Sequence, residues 1–238
     1  MERINLGIPG MEEVLKTNIL ADTSVLVTGC PGAGKSIFAL QFIYEGARNN
    51  IPGLLITSER SAPSLRMSAS SLGFDLDGFE KKGLITIVEQ SITNGKMISL
   101  EAPLTLLRKK KIKRVALDSL TLFKFVYQHG MEFRKGVISF LRQMKEAGVT
   151  LLVTSERDIT DIDTFLYTSE DYLFDGMIIL TKIRKGSSFE RVVHVAKMRG
   201  QDHSIDIYPF VIAKGGIKVM TKELPFSLIE QDVMKGKK

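Results

Sequence analysis

Three glycines, a lysine and a serine crowd into residues 29–36, in the order GCPGAGKS. They fill every fixed position of the pattern G-x-x-x-x-G-K-[ST]. By composition alone such a match arises in about 1% of chains this long. The chemistry explains the spacing. Glycines let backbone N–H groups close around a polyphosphate, and a following helix N-terminus presents its positive dipole to the same anion. Lys35 is placed to reach the β- and γ-phosphates, and Ser36 to ligate Mg²⁺. The expected nucleotide-binding set is Gly29, Cys30, Pro31, Gly32, Ala33, Gly34, Lys35, Ser36 and Ile37. No N/T-K-x-D guanine-reading motif accompanies it, since TKIR at 181–184 fails at its last position. ATP is therefore favoured over GTP.

Phosphoryl chemistry needs a second Mg²⁺ anchor and a group that orients water. Asp118 ends the apolar run 115–117 and fits the metal-side acid, with Ser36 as the other metal ligand. Ser119 follows it, where many such enzymes have Glu, so the water-activating carboxylate must come from elsewhere. Glu59 stands just past the apolar run 54–57. If that strand neighbours the loop strand, Glu59 lies across the γ-phosphate and can take a proton from water. The expected catalytic residues are thus Glu59, Lys35 and Asp118. A third cluster, Lys197, Arg199 and His203 around Gly200, would suit an anion; taken alone, a solvated turn explains it better.

These residues need a scaffold, and the apolar pattern supplies one. Residues 24–28 are a buried strand leading into the loop, and 37–43 begin a helix that is apolar on most faces. Strands follow at 53–57, 84–88, 115–117 and 149–154. Helices are expected at 62–73, with Pro63 in its first turn and Gly73 past its end, at 104–111, and along Phe133, Val137, Phe140, Leu141 and Met144. This alternation predicts a parallel sheet with helices on both faces and ligands at the carboxyl ends of the strands. Beyond Gly176 the pattern changes to hairpins, 177–183 with 189–196 and 208–213 with 217–220. A mostly parallel sheet extended by C-terminal antiparallel hairpins is the RecA-like branch of α/β phosphate-loop folds.

The 238 residues are read as one ATPase domain, with a core of about 4–220 and a basic tail of about 225–238. A net charge of +6 is compatible with polyphosphate or nucleic acid and selects neither. The one cysteine, Cys30, rules out an intrachain disulfide framework and multi-cysteine zinc sites. No signal peptide or uncharged 18-residue stretch is visible, so a cytoplasmic protein without a membrane span is expected.

The motifs together resemble the KaiC family of RecA-like ATPases, in its single-domain form common in archaea. The resemblance runs through LGIPG at 6–10, the loop with FALQF at 38–42, ITSE at 56–59, LDSLT at 117–121 and TSE at 154–156. It ends in KMRG at 197–200, with His203 and YPF at 208–210 behind it. It implies ATP and Mg²⁺ as ligands, Glu59 as the catalytic carboxylate, and hexameric rings acting as a regulatory or signalling module. It also implies that Lys197, Arg199 and His203 face the ATP of a neighbouring subunit. Two positions depart from the family. Arg60 stands where a second glutamate is usual, and TNILAD at 17–22 replaces a Gly-rich stretch.

Two other functions compete. A RecA/RadA-like DNA-binding ATPase of recombination or repair would use the basic run 108–111 with Lys113 and Arg114. Lys124, Phe125, Tyr127 and His129 leave that reading open. Asp158, Asp161, Asp163, Glu170 and Asp171 would repel a DNA backbone, so nucleic acid is not favoured. A nucleotide-sensing scaffold with little hydrolysis is the other alternative, motivated by Arg60. The protein partner is not legible.

Overall fold

The computed structural model describes residues 2–90, 101–127, 130–157 and 165–225. His129, Asp158, Asp161, Asp163 and the tail from 226 lie outside them. A nine-stranded sheet carries the fold. Its strands are β3 (Ser24–Gly29), β4 (Gly53–Thr57), β5 (Ile85–Glu89), β6 (Arg114–Asp118), β7 (Thr150–Glu156), β8 (Gly176–Lys185), β9 (Ser188–Met198), β10 (Ile207–Ala213) and β11 (Gly216–Val219). Their order is β11-β10-β9-β8-β3-β7-β6-β4-β5. From β8 to β5 every pairing is parallel, and β9, β10 and β11 extend the sheet antiparallel. This is the mostly parallel sheet with terminal hairpins that the apolar pattern predicts.

One adjacency differs from expectation. β4 pairs with β5 and β6, while β3 lies between β7 and β8. Two strands therefore separate β4 from the loop strand, and Glu59 does not approach from next door. The apolar runs predict which segments are strands; the crossovers that order them leave no period in the sequence.

Alternation along β3 divides the interior. Val25 and Val27 face one core with α2 (Lys35–Arg48), whereas Leu26 faces another with α7 (Gly130–Glu146). In α2 Phe38, Leu40, Phe42 and Ile43 are all buried, as a helix apolar on most faces must be. Burying each such side chain contributes about 1.5–3 kcal/mol. The helix α3 (Ala62–Ser71) is capped by Ser61, whose hydroxyl accepts from the Ser64 N–H, and the chain turns away at Gly73 with φ 82°. A short ribbon, β1 (Arg3–Ile4) with β2 (Ile19–Leu20), and the helices α1 (Met11–Val14), α4 (Leu76–Lys81) and α6 (Thr121–Val126) were not predicted. Each is too short to show a full hydrophobic period. The helix α5 (Glu101–Lys110) overlaps the expected 104–111 and starts three residues earlier.

The basic residues 108–111 and Lys113 are exposed, but Arg114 does not join them on that surface. Arg114 is buried, donating to the Asn5 and Phe42 carbonyls at 2.9 and 3.0 Å. Its burial lowers the guanidinium pKa to about 10, opposed by Glu45. Asp171 is likewise no exposed acid; it is 2% exposed and paired with Arg157 at 2.8 Å. No helix among the described residues is long and apolar enough to cross a membrane.

Candidate functional site

The loop after β3 closes around Lys35, whose Nζ donates to the Gly29 and Cys30 carbonyls at 2.9 and 3.0 Å. Gly32 and Gly34, at φ 70° and 116°, hold backbone conformations that favour glycine. Gly29 has a packing reason. A Cβ there would lie 1.8 Å from the Leu180 carbonyl oxygen on β8. Lys182, also on β8, donates from Nζ to the Pro31 carbonyl at 3.1 Å and places another cation beside the loop.

A cleft of about 420 Å³ opens over this loop at the carboxyl ends of the central strands. Gly32, Gly34, Lys35, Ser36, Ile37, Glu59 and Asp118 all line it. Three different segments thus converge on one volume. β4 and β6 run in register, Thr57 beside Asp118. That pairing sets Glu59 next to Ser119, whose Oγ donates to Glu59 Oε1 at 2.7 Å. Asp118 Oδ1 accepts from Thr154 Oγ1 at 2.5 Å, fixing the carboxylate from β7. Burial lowers the Lys35 pKa from its ordinary value, while Glu156, Cys30, Asp118 and Glu59 oppose the fall.

Ser119, Thr154, Glu156, Arg191 and Ile212 also line the cleft and were not predicted as site residues. Glu156 was the most findable. It ends β7, which lies beside the loop strand with Glu156 in register with Gly29. Arg191 and Ile212 come from the hairpins, too far along the chain for spacing to reveal.

Lys197, Arg199 and His203 are not brought to this cleft. β9 runs antiparallel, with Lys197 opposite Met177 near the amino end of β8. Gly29 pairs with Leu180 and Lys197 with Met177, so Lys197 lies three β8 residues, or about 10 Å, back from the loop level. Lys197 Nζ donates to the Asp171 carbonyl at 2.7 Å, and Arg199 to that of Tyr172 at 2.9 Å. His203 Nδ1 lies 2.9 Å from the Ser204 carbonyl.

The residues present fit Mg²⁺. Ser36 and Asp118 share the cleft, and this ion commonly takes one or two protein oxygens plus phosphate oxygens and waters.

Sheet order, phosphate loop and facing carboxylates define a RecA-like phosphate-loop protein. Comparison with known proteins narrows this. The family described as "ATPase: KaiC" matches residues 4–224. The chain belongs to that family. A circadian clock oscillator protein KaiC of Parathermosynechococcus lividus is 31% identical over 223 residues, covering 90% of this chain and 41% of that one. Its counterpart in Prochlorococcus marinus subsp. pastoris is 30% identical over 230 residues, covering 92% and 45%. The chain thus spans less than half the length of these relatives. A crystal structure of a KaiC-like protein from the hyperthermophilic archaeon Pyrococcus horikoshii OT3 superposes with a TM-score of 0.80 at 33% identity. That match covers 92% of this chain and 99% of the other.

Proposed function

We propose that this protein binds ATP with Mg²⁺, hydrolyses it, and forms nucleotide-dependent rings that serve as a regulatory or signalling module. The observation that carries the reading is the convergence of Lys35, Ser36, Asp118 and Glu59 on one cleft. Lys35 offsets charge on the β- and γ-phosphates. Ser36 and Asp118 would hold Mg²⁺, which supplies charge neutralisation across those phosphates when bound. Glu59, held by the Ser119 hydroxyl, accepts a proton from the attacking water. The backbone N–H groups of Gly32 and of 34–36 donate to phosphate oxygens at the start of α2.

The ring belongs to the same proposal, as does the organisation of 4–220 into one ATPase domain. Lys197 lies opposite Met177 near the amino end of β8, back from its own loop, with Arg199 two residues on. In a head-to-tail closed assembly, such residues, with His203, meet a neighbour's nucleotide. The DNA-binding alternative is weakened by the burial of Arg114.

The test is Glu59→Gln. Its proposed role is at the water, so the variant retains MgATP affinity and loses about 10²–10⁴-fold in turnover. Hydrolysis at the parental rate would place the base elsewhere.

A further inference from the structure

Arg60 stands where the resemblance leads one to expect a second glutamate, and its surroundings give it work of its own. It lines the same cleft as Lys35, Glu59 and Asp118. Its neighbour Glu59 turns to Ser119, so the adjacent charges do not pair with each other. The Arg60 guanidinium instead donates through Nη2 to neutral oxygens of α3: Ser68 Oγ at 2.5 Å, and the Ser64 carbonyl and hydroxyl at 3.3 Å. Among the described residues it makes no ion pair with a carboxylate. The Thr57 hydroxyl ties down its backbone, donating to the Arg60 carbonyl at 2.8 Å.

Lys35 is in a different position. Glu156, Asp118 and Glu59 all act on its charge. These carboxylates offset Lys35; with Arg191 in the cleft wall and Lys182 beside the loop, a triphosphate still gains from a further cation. A half-buried guanidinium without an acidic partner gains most from an arriving anion, because charge-assisted hydrogen bonds to phosphate exceed those to a serine hydroxyl. Register sets where its segment starts: Thr57 pairs with Asp118, and the Thr57 hydroxyl holds the Arg60 backbone three residues on.

We propose that Arg60 binds the terminal phosphate of the nucleotide in its own subunit, leaving its serine rest position on α3, and so makes the cleft discriminate ATP from ADP. This rests on the ATP-binding reading above and adds to it a specificity-determining residue. The residue that interrupts the acidic pair would then report whether the third phosphate is present.

Calorimetry with the β,γ-imido analogue of ATP and with ADP, both with Mg²⁺, tests this. Arg60→Ala is expected to weaken the analogue at least about 10-fold and ADP less than about 2-fold, a loss of roughly one charge-assisted hydrogen bond. Arg60→Lys should recover part of the selectivity. Ser68→Ala, which removes the resting contact, should leave analogue binding undiminished. Equal losses for both nucleotides in Arg60→Ala, or a Ser68→Ala variant that weakens the analogue as much as Arg60→Ala, would make Arg60 a structural latch and overturn the inference alone. Failure of the parental protein to bind either nucleotide would overturn the ATP-binding reading and the inference with it.

Discussion

Lys35→Ala is the perturbation whose effect the structure constrains most closely. In the free protein Nζ is committed to the Gly29 and Cys30 carbonyls at 2.9 and 3.0 Å, and the residue is 8% exposed. The loop is therefore shaped around a cation. Its truncation removes a charge that Glu156, Asp118 and Glu59 all act on. A hydrogen bond to a charged group contributes about 1.5–3 kcal/mol net. At about 1.4 kcal/mol per tenfold, loss of one such phosphate contact weakens MgATP by about 10- to 100-fold. The unfolding midpoint should move little, because the lysine's burial opposes its charge in the free state. The same burial gives a pH test. Lys35 holds its proton less tightly than the ordinary 10.5 implies, so parental affinity falls as pH rises through a range below that value. The variant, lacking the group, should not show that loss. Calorimetric titration of both proteins with MgATP at neutral and alkaline pH measures the two effects. Equal affinity at neutral pH would refute the assignment of the loop.

Thr154→Val removes the hydroxyl that Asp118 accepts at 2.5 Å. It should cost about 1–3 kcal/mol in urea unfolding and raise the Mg²⁺ concentration needed for turnover; an unchanged midpoint and Mg²⁺ requirement would contradict that anchoring. Gly29→Ala places a methyl against the Leu180 carbonyl and should lower thermal stability even without nucleotide, whereas a parental melting temperature would show that β3 and β8 can separate there. In mixed rings, a Lys35→Ala neighbour should restore some hydrolysis at the Arg199→Ala subunit's loop, since the latter keeps an intact Lys35 and the former supplies an intact Arg199. No recovery in assemblies shown to be mixed would argue against action across subunits.

The sequence was most informative where chemistry or periodicity is local. The phosphate loop is a contiguous pattern, and β4 at 53–57 follows from a single apolar run between a glycine and a threonine. The two hairpins were legible because Lys185-Gly186 and Gly215-Gly216 break the alternation. What stayed hidden is produced by crossovers. Nothing in residues 54–57 reveals that β6 and β7 intervene between β4 and the loop strand. The Ser119 contact to Glu59 exists only because Thr57 and Asp118 are in register. Arg114 looked like part of an exposed basic run, yet its strand is buried and its guanidinium satisfies two distant carbonyls. Composition records that a charge is present, not which side of a sheet it occupies. Lys197 and Arg199 are close in sequence, but their separation from the loop follows from the antiparallel course of β9.

The central claim is that this cleft turns over ATP with Glu59 as the base. The protein, its Glu59→Gln variant and its Lys35→Ala variant should be incubated with γ-labelled ATP and Mg²⁺, then free phosphate separated from labelled protein. The account predicts free phosphate from the parental protein and loss of its production in both variants, with Glu59→Gln alone retaining bound ATP. Label accumulating on the protein without phosphate release, or bound ATP that is never cleaved by the parental protein, would contradict it.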